Sequence, residues 1–272
     1  MIASLLLAAA LASPAAPGRG VLLEELTWVE AEKVLTPETV VVIPLGAGSK
    51  EHGPHLKLKN DFILAEYLKG RVRERAAVAI APTVNYGYYP AFVEYPGSTS
   101  LSLETSRDMI VEICRGLARF GPKRFYVLNT GVSTLRALAP AADILAKEGI
   151  LLRYTNVLEA TAAVEKEVCR QEGGTHADEV ETSMILYMSP ADCDMSKALK
   201  DYHPGKGGLT RDRKKEGMTY SASGVFGDAT LATREKGRIV TEALVEVVLR
   251  EIGQLRAAPP PPVLTLGPRL AP

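Results

Sequence analysis

The chain has 272 residues, 46% of them hydrophobic, and its 32 basic side chains are balanced by 32 acidic ones to a formal net charge of zero. That length suits one large domain or two small ones with a sizeable core, and the balance excludes a charge argument for nucleic acid or an anionic membrane as partner. The one basic cluster, Arg211, Arg213, Lys214 and Lys215 around Asp212, reads as a solvated loop.

Residues 2–12, IASLLLAAALA, are apolar but well short of the ~20 residues that span a bilayer. With Ala10-Leu11-Ala12 as a small-x-small cleavage pattern, they predict a signal peptide within a leader of residues 1–20. The product is then exported, periplasmic or secreted, with no membrane segment once the signal is removed. A helix is expected over Leu22–Ala31. Val40-Val41-Val42-Ile43 reads as a buried strand ending at Pro44-Leu45-Gly46. Directly after it comes Ser49-Lys50-Glu51-His52-Gly53-Pro54-His55-Leu56, then Asn60-Asp61 at the head of a helix over Phe62–Arg75.

Ala76–Ala81 is a second buried strand, and residues 82–101, rich in Gly, Pro and Tyr, form a long loop of the kind that usually carries function. Glu104–Phe120 has helical spacing, with Met109, Ile110, Ile113 and Leu117 on one face, and stops at Gly121-Pro122. A strand over 124–128, a turn over Asn129–Thr134, a helix over 135–148 and a strand over 150–154 follow. A helix over Asp178–Met188 opens at His176, a loop covers 189–223, and a last helix runs from Thr233 to Ala257. Pro259–Pro262 stops that helix, leaving residues 258–272 as a disordered tail and 21–257 as the domain. Alternating strands and helices predict an α/β three-layer sandwich, a mainly parallel sheet covered by helices on both faces.

Strand ends in such sheets are where sites gather, and imidazoles among carboxylates suit zinc, manganese or iron. On the spacing of its histidines alone the Glu51–Asp61 stretch reads as a polar loop, but Asp61, nine residues after His52 at the start of a helix, turns the reading toward a metal site. His176, Asp178, Glu179 and Glu181 form a second polar cluster, in part explained by acidic groups complementing a helix N-terminus. Tyr86, Tyr88 and Tyr89 are candidates to line a pocket, and His203 sits in a Gly-rich loop that could act as a lid. Cys114, Cys169 and Cys193 show no C-x-x-C spacing, so they read as buried thiols or, in an exported protein, as one disulfide.

The stretch IPLGAGSKEHGPHLKLKND resembles the signature of the creatininase (creatinine amidohydrolase) family, roughly P-x-G-S-x-E-Q-H-G-P-H-L-P-x-x-x-D. Tyr86-Gly87, Tyr95–Leu101, the segment His176–Ser183 and the segment Gly224–Thr233 resemble further family segments in family order. The resemblance implies a small-molecule substrate, a homo-oligomer, and a metal-dependent hydrolase cleaving a C–N bond of a small amide or cyclic amide. It also implies one or two divalent ions, zinc, manganese or iron, with ligands at His52, Asp61, Glu181 and Glu51, the last being the nearest match to the signature Glu, although that Glu stands two residues before the His and Glu51 stands next to it. His176 and Glu179 would move protons. The Asn129-Thr130-Gly131 turn would bind substrate oxygens through its amides, with Tyr86 and Tyr88 beside it.

Two departures stand out. The family's N-G-H-G-G-N segment carries a ligand His where this chain has Gly131, so His55, His176, Glu179 or Glu181 would have to replace it, or the site holds one ion. Trp28 is the only Trp, which leaves none near His176 to stack on a creatinine ring. The alternatives are therefore a peptidase-like relative acting on a modified peptide, and a metal-poor binding protein.

Overall fold

The computed structural model of the chain describes residues 19–263 apart from Lys206. The expected signal sequence and the last part of the Pro-rich tail lie outside the described residues. A five-stranded parallel sheet in the order β1-β3-β2-β4-β5 forms the middle layer, built from β1 (Val21–Leu22), β2 (Val40–Leu45), β3 (Ala79–Ile80), β4 (Arg124–Asn129) and β5 (Leu151–Tyr154). Every residue of β2 is buried, as a strand covered on both faces requires.

The side chains of β2 and β4 alternate between two cores. Val41, Ile43, Phe125 and Val127 pack with Ile110 and Cys114 of α3 (Leu103–Ala118) and with Leu138 and Leu145 of α4 (Leu135–Ala146). Val40, Val42, Tyr126 and Leu128 pack on the opposite face with Leu68 and Val72 of α2 (Asn60–Arg75) and Leu244 and Val248 of α8 (Arg234–Ala257). α7 (Glu179–Met188) lies against α8, and Ser183 ties the two: its hydroxyl accepts from Thr233 N (3.0 Å), just ahead of α8, and donates to Glu179 O (2.6 Å). The three layers and the parallel sheet are those expected from the sequence.

Two stretches, Val21-Leu22 and 189–223, differ from expectation, and residues 155–175 carried none. Val21-Leu22 is not helical: it adds to the free edge of β3, with Val21 N donating to Val78 O at 2.9 Å, and the helix α1 (Trp28–Val34) starts later behind a Thr27–Glu30 capping box. Residues 155–175 contain two short helices, α5 (Val157–Ala160) and α6 (Ala162–Val168). The loop at 189–223 carries three two-residue strands, β6 (Lys200–Asp201), β7 (Leu209–Thr210) and β8 (Thr219–Tyr220), and β6 pairs with β9 (Gly227–Asp228). In the tail, Val263 bridges back to Glu148. Among the described residues no helix is long and apolar enough to cross a membrane.

Candidate active site

From β2 the chain leaves through α2 to β3 on one side; from β4 it leaves through α4 to β5 on the other. The loops beyond the carboxyl ends of β2 and β4 therefore diverge and leave a crevice, the place where ligands bind in open α/β sheets. A cleft of about 590 Å³ opens there, lined among others by Lys50, Tyr89, Phe92, Gly131, His176 and Glu181. A Cβ on Gly46 would overlap the Asp61 carbonyl and come within 2.8 Å of Ala65 Cβ, so only glycine lets the end of β2 pass this close to the first turn of α2. That approach sets Asp61 beside the loop.

Asp61 is buried and sits between two nitrogens. Its Oδ1 lies 2.8 Å from Nε2 of His52, and its Oδ2 lies 2.7 Å from the Lys50 ammonium. The latter contact falls outside hydrogen-bond geometry, so it is an ion pair rather than a directed bond. Burial alone would raise the Asp61 carboxyl, but the charge of Lys50 and then that of His52 outweigh it and hold it far below the usual range. Lys50 is itself only 4% exposed, its ammonium over the ring of Phe92 (4.8 Å) and near that of Tyr89 (5.7 Å).

His176 precedes α7 and is fixed by paired backbone bonds with Phe226. Its Nε2 donates to the Glu51 carbonyl (2.9 Å) and to Glu51 Oε2 (3.2 Å), and its Nδ1 lies 3.6 Å from Glu181 Oε2. Burial works against protonation here, but the bond to Glu51 and the charges of Glu181 and Glu51 hold the imidazole above its ordinary value. Ala177 has φ 47°, the only left-handed non-glycine among the described residues. That turn directs its N–H onto Glu181 Oε2 at 2.6 Å, so a strained residue links the two site side chains. Asp178 caps α7 through Val180 N (2.9 Å) and Glu181 N (3.0 Å), and burial pushes its carboxyl up to about 6.

Among the described residues one group can hold a metal ion: His52, His176 and Glu181 present ligand atoms all within 4.8 Å of one another. Two imidazoles and a carboxylate form a donor set suited to zinc or manganese. His52 gives an independent sign. Both ring nitrogens face acceptors, the Lys50 carbonyl at 2.9 Å and Asp61 Oδ1 at 2.8 Å, whereas a neutral imidazole has one N–H. The other nitrogen of the neutral ring therefore carries a lone pair that its neighbour cannot satisfy, and that lone pair is one it can offer to an ion. The donors present fit one ion.

The structure gathers the expected residues unevenly. His52, His176 and Glu181 converge, and Asp61 abuts His52. Glu51 turns its carboxylate to His176 and to Gly53 N. Glu179 does not reach the cleft: it is fully buried, accepting from Arg170 N (2.8 Å) and Gln171 N (2.7 Å) and pairing with Lys236. The turn amides expected to bind substrate are already engaged, Thr130 N with Leu45 O (3.2 Å) and Gly131 N with Asn129 Oδ1 (3.3 Å). Asn129 thus shapes the turn, while Thr130 and Gly131 line the cleft. Tyr89 reaches the cleft; Tyr86 is half exposed, and Tyr88 lies under Arg136. His55, which donates to or accepts from Thr182 Oγ1 at 2.8 Å, is buried and is not one of the three converging donors, and burial pushes it down to about 4.

Lys50 is the residue the sequence reading missed. The signal was present: counted back from His52, the signature Glu falls on Lys50, not on Glu51.

A parallel sheet sandwiched by helices, with a His and carboxylate cluster where its connections diverge, defines an α/β protein whose donor set could hold a divalent ion. The family profile for creatininase, creatinine amidohydrolase, matches residues 24–252, and the chain belongs to that family. It is 27% identical over 250 residues to the creatinine amidohydrolase of Pseudomonas putida, covering 84% of this chain and 94% of the relative. It is 27% identical over 246 residues to the mycofactocin precursor peptide peptidase of Mycobacterium tuberculosis, covering 86% and 93%. It is 26% identical over 285 residues to the 3-dehydro-scyllo-inosose hydrolase of Thermotoga maritima, covering 92% and 90%. Among solved structures, a manganese creatininase superposes with a TM-score of 0.71 at 25% identity, over 87% of this chain and 98% of that one. A mutant creatininase of the Zn–Zn type gives 0.69 at 25% identity with the same coverage. The family is enzymatic, its named members being amidohydrolases, peptidases and hydrolases.

Proposed function

We propose that the chain is a hydrolase cleaving a C–N bond of a small amide or cyclic amide other than creatinine, with one divalent ion held by His52, His176 and Glu181. The observation that carries this is the convergence of those three side chains, of which His176 and Glu181 line the cleft. When bound, such an ion supplies a water of lowered pKa and polarises the substrate carbonyl. Glu51 holds the His176 ring by its Nε2, which leaves Nδ1 toward Glu181. The Lys50 ammonium, on the cleft wall, faces negative charge developing on a substrate oxygen. The buried rings of Tyr89 and Phe92 make that wall largely apolar. Trp28 is 77% exposed on α1, so it offers no stacking surface for a creatinine ring in the cleft.

The test is turnover of a panel of small amides, cyclic amides and short peptides by protein stripped of metal and then reloaded with zinc, manganese or iron. Ion-dependent amide hydrolysis that is lost in Glu181→Gln supports the proposal. Absence of both ion binding and turnover refutes it. Cleavage of peptides alone favours a second reading, a peptidase, which the cleft volume of about 590 Å³ supports because a small cyclic amide fills only part of it. Export to the periplasm or medium is part of the same proposal, resting on residues 2–12, and N-terminal sequencing of the mature protein tests it. Homo-oligomerisation, implied by the family resemblance, is tested by light scattering.

A further inference from the structure

We infer that the Lys50 ammonium is a built-in cation occupying the place of an ion at Asp61, so that each chain carries at most one metal ion. The inference rests on the reading above only in setting this place beside the one-ion cluster.

Three observations meet here. The first is geometric: Asp61 spends Oδ2 on Lys50 at 2.7 Å and Oδ1 on His52 at 2.8 Å, with both charged side chains at most 5% exposed. Asp61 does not line the cleft, and the positive charge nearest to its Oδ2 is that of Lys50. The second is chemical. Lys50 stands where the family signature has a ligand carboxylate, and Gly131 where it has a ligand imidazole. One donor has thus become a cation, and another has lost its side chain. The third is positional. The ammonium is cradled by the faces of Phe92 and Tyr89, at 4.8 and 5.7 Å from the ring centres, and its backbone N donates to Leu58 O at 3.0 Å. It cannot swing out without giving up the ion pair and both rings. A divalent ion at Asp61 would meet an ammonium in direct contact, in a buried place where repulsion is little screened.

The experiment counts zinc or manganese per chain by elemental mass spectrometry after loading and desalting. It compares the wild type, Glu181→Gln and the double variant Lys50→Glu/Gly131→His, with folding of each checked by circular dichroism and ion binding confirmed by thermal shift. The expected result is one ion in the wild type, none in Glu181→Gln, and one ion more than wild type in the double variant. No ion in the wild type with one gained by the double variant would sink the proposed one-ion hydrolase while upholding this inference. Two ions in the wild type overturn it and need no variant. So does a folded double variant that binds no more than the wild type, because Lys50 would then not be what excludes the ion.

Discussion

The junction between α7 and α8 gives a sharp test, because the same substitution at two places in one helix should act in opposite directions. Gly237 is buried in α8 against α7, and a Cβ there would overlap the Ser183 carbonyl and lie 2.9 Å from Met184 N. Both opposing atoms are backbone, so nothing flexible can move aside, and the helices must part by about 1 Å or more to restore van der Waals distance. Overpacking that shifts backbone costs about 1–3 kcal/mol and occasionally more; with rigid backbone on the far side Gly237 belongs at or above the upper end, and the better helix propensity of Ala returns about 1 kcal/mol. Gly237→Ala should therefore destabilise by about 2 kcal/mol or more, roughly 4–8 °C or more in Tm for a domain of this size. Gly253, in the same helix, is exposed with nothing within 4 Å of an added Cβ. Gly253→Ala should stabilise by about 0.5–1 kcal/mol. Both changes remove one glycine from the unfolded chain, so that contribution cancels between them. Urea unfolding followed by circular dichroism measures both. A Gly237→Ala variant within about 1 kcal/mol of wild type would show that α7 and α8 do not pack this closely, and would undercut the placement of His176 and Glu181 at the start of α7.

The Glu242 carboxylate joins three helices, accepting from Arg71 (2.5 and 2.8 Å), Tyr187 (3.0 Å) and Tyr67 (3.2 Å). The bond to Arg71 holds it down at about 2 against an ordinary 4.5, so its stabilisation is complete above about pH 4.5 and disappears as pH falls toward 2. Undiscounted, that displacement is worth about 3 kcal/mol; the side chain is 32% exposed, and screening reduces it to about 1–2 kcal/mol. Urea midpoints between pH 3 and 7 should accordingly slope less in Glu242→Gln, and parallel slopes would contradict the assignment. Glu179→Gln should lower stability by about 2–4 kcal/mol, since it leaves Lys236 and the 170–171 amides short of a buried charge. The folded fraction should bind metal as wild type does, and a selective loss of ion binding would return Glu179 to the site. All three cysteines are free, and burial raises each thiol, Cys169 to about 12. Iodoacetamide at pH 8 should label the native protein at least ~10-fold more slowly than the denatured one, where three thiols react; rapid native labelling, or fewer than three thiols after denaturation, would count against this.

The sheet was legible because burial on both faces writes itself as an unbroken apolar run, as in Val40–Ile43, and because the helices between strands keep a 3.6-residue rhythm. Val21-Leu22 was not, since a two-residue strand has no periodicity and exists only because the edge of β3 is open to it. The helices over 157–168 are too short to show a face. At the site, His52, Asp61 and His176 announce themselves by residue type and spacing. Glu179 misled, because a carboxylate in a first helical turn looks the same in sequence whether it meets a ligand or the backbone of a neighbouring turn. Lys50 was passed over for the opposite reason: lysine is among the residues least often buried, and residue type alone gives no sign that this one is. The engaged amides of Thr130 and Gly131 depend on how Asn129 folds back over its own turn, which no spacing rule reports.

The Lys50–Asp61 pair also bears on how the protein matures. Where a cluster of ligands carries uncompensated negative charge, the folded state waits for its ion, and metal supply becomes a folding step. Here the most deeply buried carboxylate of the loop is neutralised from within the same polypeptide, by a residue made at the same time. The architecture can close before any ion arrives, so uptake of the proposed ion would be a separate and later step.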